Sequence, residues 1–399
     1  MKEWQQRKFG ELYKVPSRNG LSKPSRVRGS GYKMINMGEL FANDRIYDID
    51  MELVPLTDSE KEKAKVESGD LLFARQSLIA SGAGKCSIVM KTSELTVFES
   101  HLIRVRLDQE IADPMFYYYY FKSPRSPMRT IIEHCVQAGI KASDLEKLLV
   151  KVPPIEEQRK TARVLSRIDK KIEVNKEINE NLEQQAQAYF EDLFVVNADP
   201  NWPECTLSDI GSIVAGGTPS KSKPEYYADQ GIAWITPKDL SIDKSKFISH
   251  GENDISELGF SKSSAKKMPA GTVLFSSRAP IGYIAIAQNE LTTNQGFKSV
   301  IPNEKIGTSY VYFLLKNLLP TIEGMASGST FKEISGAGMK SVPTVMPDVD
   351  TIQFFNNFCE PIFKEQEILE AENRRLSALR DSLLPKLMSG EIDISSLDI

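Results

Sequence analysis

Two groups of side chains in this 399-residue sequence have the chemistry to hold a polyanion and to read planar hydrogen-bonding edges. The first is Arg26, Arg28 and Lys33, in a stretch that also contains Gly20, Gly29 and Gly31, together with Arg75 and Gln76 at an expected strand end. The second is Lys221 and Lys223, beside the run Gly216-Gly217-Thr218-Pro219-Ser220, with Lys238, Arg278, Asn294, Gln295, Thr330 and Lys332. Lysine and arginine neutralise phosphates, while Arg, Asn and Gln offer the two-armed hydrogen bonding that reading a base edge requires. Glycine lets the backbone approach a ligand closely. A single lysine is ordinarily a solvated surface charge, so the clustering carries the reading.

The side chains for covalent, metal or cofactor chemistry do not assemble in the same way. Ser81-Gly82-Ala83-Gly84-Lys85-Cys86 resembles the end of a phosphate-binding loop, but Ile79 stands at the first glycine position and Cys86 where a Ser or Thr belongs. The Pro153-Pro154 pair has Val152 before it and Ile155 after it, without the polar and aromatic neighbours of a base-holding amino-methyltransferase motif. Cys86, Cys135, Cys205 and Cys359 form no C-x-x-C pair, and His101, His134 and His250 add no ligand spacing beyond the adjacent His134-Cys135. We therefore expect no cofactor, no metal site and no catalysis, with free thiols in a reducing compartment. The amino-terminal MKEWQQRKFGELYK lacks the apolar core of a signal peptide and the apolar runs are too short to cross a bilayer, so the expected location is the cytoplasm.

Net charge is −4, which by itself argues against nucleic acid. The distribution is uneven: the first 33 residues are strongly basic, whereas Glu177 to Ser220 contains no lysine or arginine. Local anion-binding surfaces with an acidic connector fit this segregation.

The elements that must position these residues come in two copies, at a period of about 194 residues that suits a duplicated domain. Each copy opens on a tryptophan (Trp4, Trp202), continues with Gly-x-x-Leu-Phe (Gly69 to Phe73, Gly271 to Phe275) and then Arg75 or Arg278, and has an aromatic segment ending in Lys122 or Lys316. A short apolar strand closed by proline follows, then a long helical pattern. Tyr117 to Tyr120 could stack on bases. The matching YVYFLLK keeps the apolar periodicity without the tyrosine run, so a core helix is expected.

In the first long helix Leu165, Ile168, Ile172, Asn175, Asn179, Leu182, Ala186, Tyr189 and Leu193 recur at steps of three and four; in the second, Phe355, Phe358, Ile362, Glu365, Leu369, Glu372, Leu376, Leu379 and Leu383 do so. Such seams predict a coiled coil, with Pro385 and Gly390 ending the second helix. Glu156 to Phe194 would run about 58 Å, longer than one domain is wide, so the two helices are expected to pair with each other. Polar Asn175 and Asn179 suit register-fixing positions. The predicted fold is mixed α/β: two similar domains (1–152 and 198–346) joined by two long helices (153–197 and 347–399, the latter with a tail) in an antiparallel intramolecular coiled coil with pseudo-twofold symmetry.

VPPIEEQRKTARVLSRIDKKI (Val152 to Ile172) resembles the first central repeat of type I restriction-modification specificity subunits. GGTPSKSKPEYY with AWITPKDLS, SSRAPIGYIAI, TNQGF and the tail SLLPKLMSGEIDI resemble that family's second target recognition domain and closing repeat. The first domain departs most, with FESHL where the second has TNQGF. The resemblance implies a non-catalytic subunit that reads a bipartite target on double-stranded DNA and binds two methyltransferase subunits and, in the full nuclease, restriction and motor subunits. It also strengthens Arg278 and Gln295 as readers. A standalone DNA-binding regulator and a coiled-coil scaffold for proteins are the alternatives. A regulator would dimerise where this chain carries both halves itself, and a scaffold would need no Arg, Lys, Asn and Gln clusters in glycine-rich loops.

Overall fold

In a computed structural model the chain divides into two compact units, one of Met1–Ile172 with Arg375–Ile399, the other of Glu173–Arg374. The structure describes residues 4–77, 82–134, 138–328 and 332–394, with the backbone alone at 133 and 134.

The duplication is carried strand for strand. In the first unit a five-stranded sheet runs in the order Tyr13–Asn19, Leu102–Leu107, Leu71–Ala74, Cys86–Val89, Arg45–Ile46, antiparallel except for the last pair. The second unit repeats order and direction with Gly211–Ala215, Lys298–Pro302, Val273–Ser277, Ile281–Ala287 and Phe247–Ile248. A smaller sheet packs beside each, centred on Tyr32–Ile35 or Ile232–Ile235, with one antiparallel and one parallel neighbour. The glycine of each Gly-x-x-Leu-Phe motif has positive φ, 90° at Gly69 and 82° at Gly271, a conformation that a side chain would disfavour.

The tyrosine run is core. Helix Pro114–Lys122 starts at Asp113, whose carboxylate accepts from Phe116 N at 2.8 Å, and Phe116 through Phe121 are all buried. Its phenols find partners: Tyr117 donates to Lys151 O (3.1 Å) and Tyr119 to Asp169 Oδ2 (2.5 Å). Tyrosine is therefore placed where an aromatic body and a polar tip are both needed.

The two long helices, Ile155–Glu191 and Val349–Ser389, supply part of each core: Ala162, Leu165, Leu384 and Leu387 in the first unit, Ala186, Phe190, Phe355 and Ile362 in the second. Within each unit they pair antiparallel. Asp169 meets Arg380 at 2.9 Å in the first; in the second, Asn175 Nδ2 donates to Asn373 Oδ1 at 2.9 Å and Tyr189 packs on Phe358 at 4.5 Å.

Two expectations for the second helix need correction. Phe358, though 40% exposed, packs on Tyr189 and Glu372 accepts from Asn175 at 2.7 Å, but Glu365 is exposed and Leu379 is 47% exposed, so the seam leaves those two. It also runs through Cys359, Gln366, Asn373 and Arg380, a mostly polar series that an apolar pattern passes over. Pro385 lies inside the helix, where Leu384, Leu387 and Met388 pack into the first unit's core and offset the roughly 3 kcal/mol of an interior proline. Gly390 ends it at φ 77°, with Gly390 N donating to Leu387 O and Glu391 N to Lys386 O. The first helix ends at Glu191, followed by a wider turn over Asp192–Val196.

Candidate nucleic-acid interface

In the second unit the smaller sheet and the glycine-rich loop enclose a cleft of about 630 Å³ whose lining includes Lys221, Lys238, Arg278, Asn294 and Gln295. Each is placed by local chemistry. Trp234 Nε1 donates to Gly217 O at 2.9 Å and Tyr227 Oη to Pro219 O at 2.9 Å, pinning the loop that carries Thr218 and Lys221. Lys238 rides on the short helix Pro237–Ile242, whose Thr236 cap is closed by the buried Asp239 carboxylate (2.7 Å from Thr236 N). That carboxylate also accepts from Glu252 N at 2.9 Å, which fixes the strand beyond it.

Arg278 follows the strand Val273–Ser277 and meets Glu333 at 3.4 Å, both groups more than a third exposed. An exposed pair of this kind contributes about 0 to 1 kcal/mol, so the guanidinium can exchange Glu333 for a ligand. Lys238 likewise meets Glu252 at 2.5 Å in an exposed position. Asn294 Oδ1 accepts from Gly296 N at 2.8 Å and Gln295 Oε1 accepts from the Thr218 hydroxyl. Among the described residues neither amide nitrogen has a partner, so each presents N–H donors at the cleft. Cations around paired amide donors suit phosphates with base edges between them.

Lys223 lies outside the lining, its ammonium 5.5 Å from the Tyr226 ring, and Lys332 is exposed beside Glu333. Thr330 falls outside the described residues. Thr218, Tyr227, Trp234, Thr236 and Asn253 line the cleft without having been singled out in sequence. Thr218 was visible within the GGTPSK run, whereas Asn253 is brought in only by strand pairing opposite Trp234.

The first unit presents different groups on the same frame. Arg28 donates to Glu52 (2.6 Å), Lys23 O (2.8 Å) and Asn36 Oδ1 (3.3 Å), and Lys33 pairs with Asp48 (2.7 Å) and Glu94 (3.1 Å). Both cations are thus engaged internally, while Arg26 is exposed on the turn Ser25–Val27. Glu52 stands opposite Met34 as Asn253 stands opposite Trp234, and Glu99 follows its strand as Asn294 does, each donating its N–H to the carbonyl of Ile35 or Ile235. Carboxylates therefore occupy two places where the second unit has amides. Arg75 ends the strand Leu71–Ala74, and Gln76 begins a short strand paired with Gly139.

Except at Gly29, where a Cβ would meet nothing among the described residues, the loop glycines serve the protein's own packing. A Cβ on Gly20 would lie 2.0 Å from Phe98 O, and one on Gly216 would lie 2.0 Å from Asn294 O, so the close approach they permit is to a neighbouring strand rather than to a ligand.

The family model described as type I restriction modification DNA specificity domain matches the chain twice, over residues 1–184 and 200–369. The HindI specificity subunit of Haemophilus influenzae is 24% identical over 98% of this chain and 100% of its own length. The MjaIX specificity subunit of Methanocaldococcus jannaschii is 38% identical over 179 residues, 43% of this chain and 41% of that protein. The crystal structure of a type I restriction-modification S subunit from M. genitalium shares the fold, with a TM-score of 0.62 at 17% identity, covering 96% of both chains. Among the described residues no helix is long and apolar enough to cross a membrane.

Proposed function

The chain belongs to the type I restriction-modification DNA specificity family, and from that premise we propose that it directs a methyltransferase, and with it restriction subunits, to a two-part target on double-stranded DNA. Each unit reads one part. The observation that carries this reading is the convergence of Lys221, Lys238, Arg278, Asn294 and Gln295 on one cleft, on a frame that the first unit repeats with different side chains. One scaffold bearing two sets of hydrogen-bonding groups has the form expected of two half-sites of different sequence.

The chain's own residues do no bond making in this account. Lysines on the loop 216–223 take phosphates and set the register, and Arg278, Asn294 and Gln295 meet base edges. In the first unit Arg75, Gln76 and Arg28, the last held on Glu52, would take the corresponding roles. Glutamate accepts from cytosine N4, so the carboxylates Glu52 and Glu99 would favour bases that the amides of the second unit do not. Two methyltransferase subunits and the restriction and motor subunits supply catalysis, and the cytoplasm is where the complex would act. Co-purification tests this: a methyltransferase polypeptide retained with the tagged chain, and DNA methylation only when both are present, is the expected result. Cofactor-dependent methylation by the isolated chain would overturn it.

A further inference from the structure

Lys246 is buried in the second unit against both long helices. Its ammonium contacts the Glu183 carboxylate of the first helix and donates to Gln366 Oε1 of the second at 2.6 Å. The rings of Phe363 and Tyr312 lie 4.0 and 4.7 Å from it. The backbone N–H groups of Lys246 and Phe247 both donate to the Glu370 carboxylate, at 2.8 and 3.1 Å, and Lys316 gives Glu183 a second cation at 2.5 Å. Burial lowers the Lys246 ammonium below its usual range, and burial opposes the Glu183 carboxylate too, yet Lys246 and Lys316 together hold that carboxylate below its usual range. Stability alone is a weak reason for such a cluster, since packed apolar residues of similar volume would do as well. Many directional contacts meeting on one lysine instead define a single position.

That position is tied to the cleft by two short connections. Helix Pro237–Ile242, which carries Lys238, leads to Lys246 through residues 243–245. The carbonyl of Lys246 accepts from Ile286 N at 2.7 Å, on the strand Ile281–Ala287 that begins three residues after Arg278. The first unit has a counterpart built from other charges. Asp44 occupies the equivalent place, its carbonyl accepting from Ile88 N at 3.1 Å, and the adjacent Arg45 meets Asp169 of the first helix at 2.6 Å.

Resting on the two-part reading above, we propose that Lys246, with Glu183, Gln366 and Glu370, is a positioning cluster that locks the second recognition cleft onto the helix pair and so makes the protein discriminate between spacer lengths, without touching DNA. An apolar residue in place of Lys246 leaves the cleft intact but lets it sit in several orientations on the helices.

The test uses the full chain with its methyltransferase partner, on a plasmid library carrying the native half-sites separated by spacers from two base pairs shorter to two longer. Lys246→Met should leave the half-site bases unchanged while the preference for the native spacer over its neighbours falls about tenfold, on the scale by which misplacing a contact changes a rate. Lys246→Arg should restore much of the preference. If Lys246→Met does not assemble, Glu370→Ala, which keeps the Lys246 to Glu183 pair, should show a smaller loss of the same kind. Unchanged spacer preference in an assembled variant, or a change in the half-site bases, overturns the proposal. A wild-type complex that methylates no two-part target removes the underlying reading, and the proposal with it.

Discussion

Arg278 and Gln76 occupy the same place in the two halves: Arg278 is one residue past the strand Val273–Ser277 and Gln76 two past Leu71–Ala74, and each is paired antiparallel across the sheet edge, Arg278 with Glu333 and Gln76 with Gly139. The carbonyl of the residue before each accepts from Ile334 N or Ile140 N, at 3.1 and 2.9 Å. The repeat thus sets a guanidinium at one position in the second unit and an amide in the first, both two-armed groups that discriminate bases.

Arg278→Ala is expected to weaken specific binding by about 1 to 3 kcal/mol and to relax one base position in one half-site only. Methylation-site sequencing of the variant reads this directly. Uniform weakening over all sequences would make Arg278 a phosphate contact instead.

Gln76→Ala should relax a position in the other half-site and leave untouched the one that depends on Arg278. The two substitutions are expected to add, because each side chain reads its own half. Competition binding with singly altered duplexes measures this; coupling between them would mean that the halves do not read independently.

Lys221→Ala removes an ammonium from the rim of the cleft without touching its amides. If Lys221 takes a phosphate, the slope of log affinity against log salt becomes shallower by about 0.9, equally for specific and nonspecific DNA. Titrations across salt concentrations check it, and a sequence-dependent loss would place Lys221 on a base.

The polar seam makes an opposite-sign prediction for single and double changes. Asn175 donates to Glu372 at 2.7 Å and to Asn373 at 2.9 Å, while its own buried Oδ1 has no partner among the described residues. Asn373→Leu should cost about 1 to 3 kcal/mol, because an acceptor is withdrawn from a buried donor. Asn175→Leu with Asn373→Leu should match or exceed wild-type stability, since apolar packing replaces polar groups that are only partly satisfied. Denaturant unfolding distinguishes the two.

Much of this arrangement was legible from residues alone, for reasons that also explain the failures. Gly69 and Gly271, and the aromatic segments ending in Lys122 and Lys316, recur because the same turns and the same core recur, so the duplication and the α/β class followed from local patterns. Asn175 was readable as a seam residue because it continues the steps of three and four set by Leu165, Ile168 and Ile172. On the second helix that logic chose Leu379 over Arg380. Apolar character marks burial only on average, and the seam there runs through Gln366 and Asn373. Arg28 and Lys33 looked free because their acids, Glu52, Asp48 and Glu94, are far away in sequence and arrive only through strand pairing. The five cleft residues of the second unit come from four separate segments, one of them a short helix, and what made them findable was residue type near glycine and strand ends rather than spacing.

Both long helices run from one unit into the other, which makes their length a variable that experiment can set. Adding four residues within Lys176 to Ala188, matched within Gln366 to Ala378, lengthens each by about 6 Å at 1.5 Å per residue. The half-sites are expected to stay the same while the preferred spacer shifts by about two base pairs, taking 3.4 Å per step. Altered half-sites at a constant spacer would mean that the helices themselves read bases.

The most direct measurement of the central claim is genome-wide sequencing of methylated positions in a host that carries this chain with its methyltransferase partner and no other. The account predicts one motif made of two short specified blocks around an unread spacer, with Arg278→Ala altering one block and Gln76→Ala the other. A single uninterrupted motif, or a motif that both substitutions alter at the same block, would contradict it.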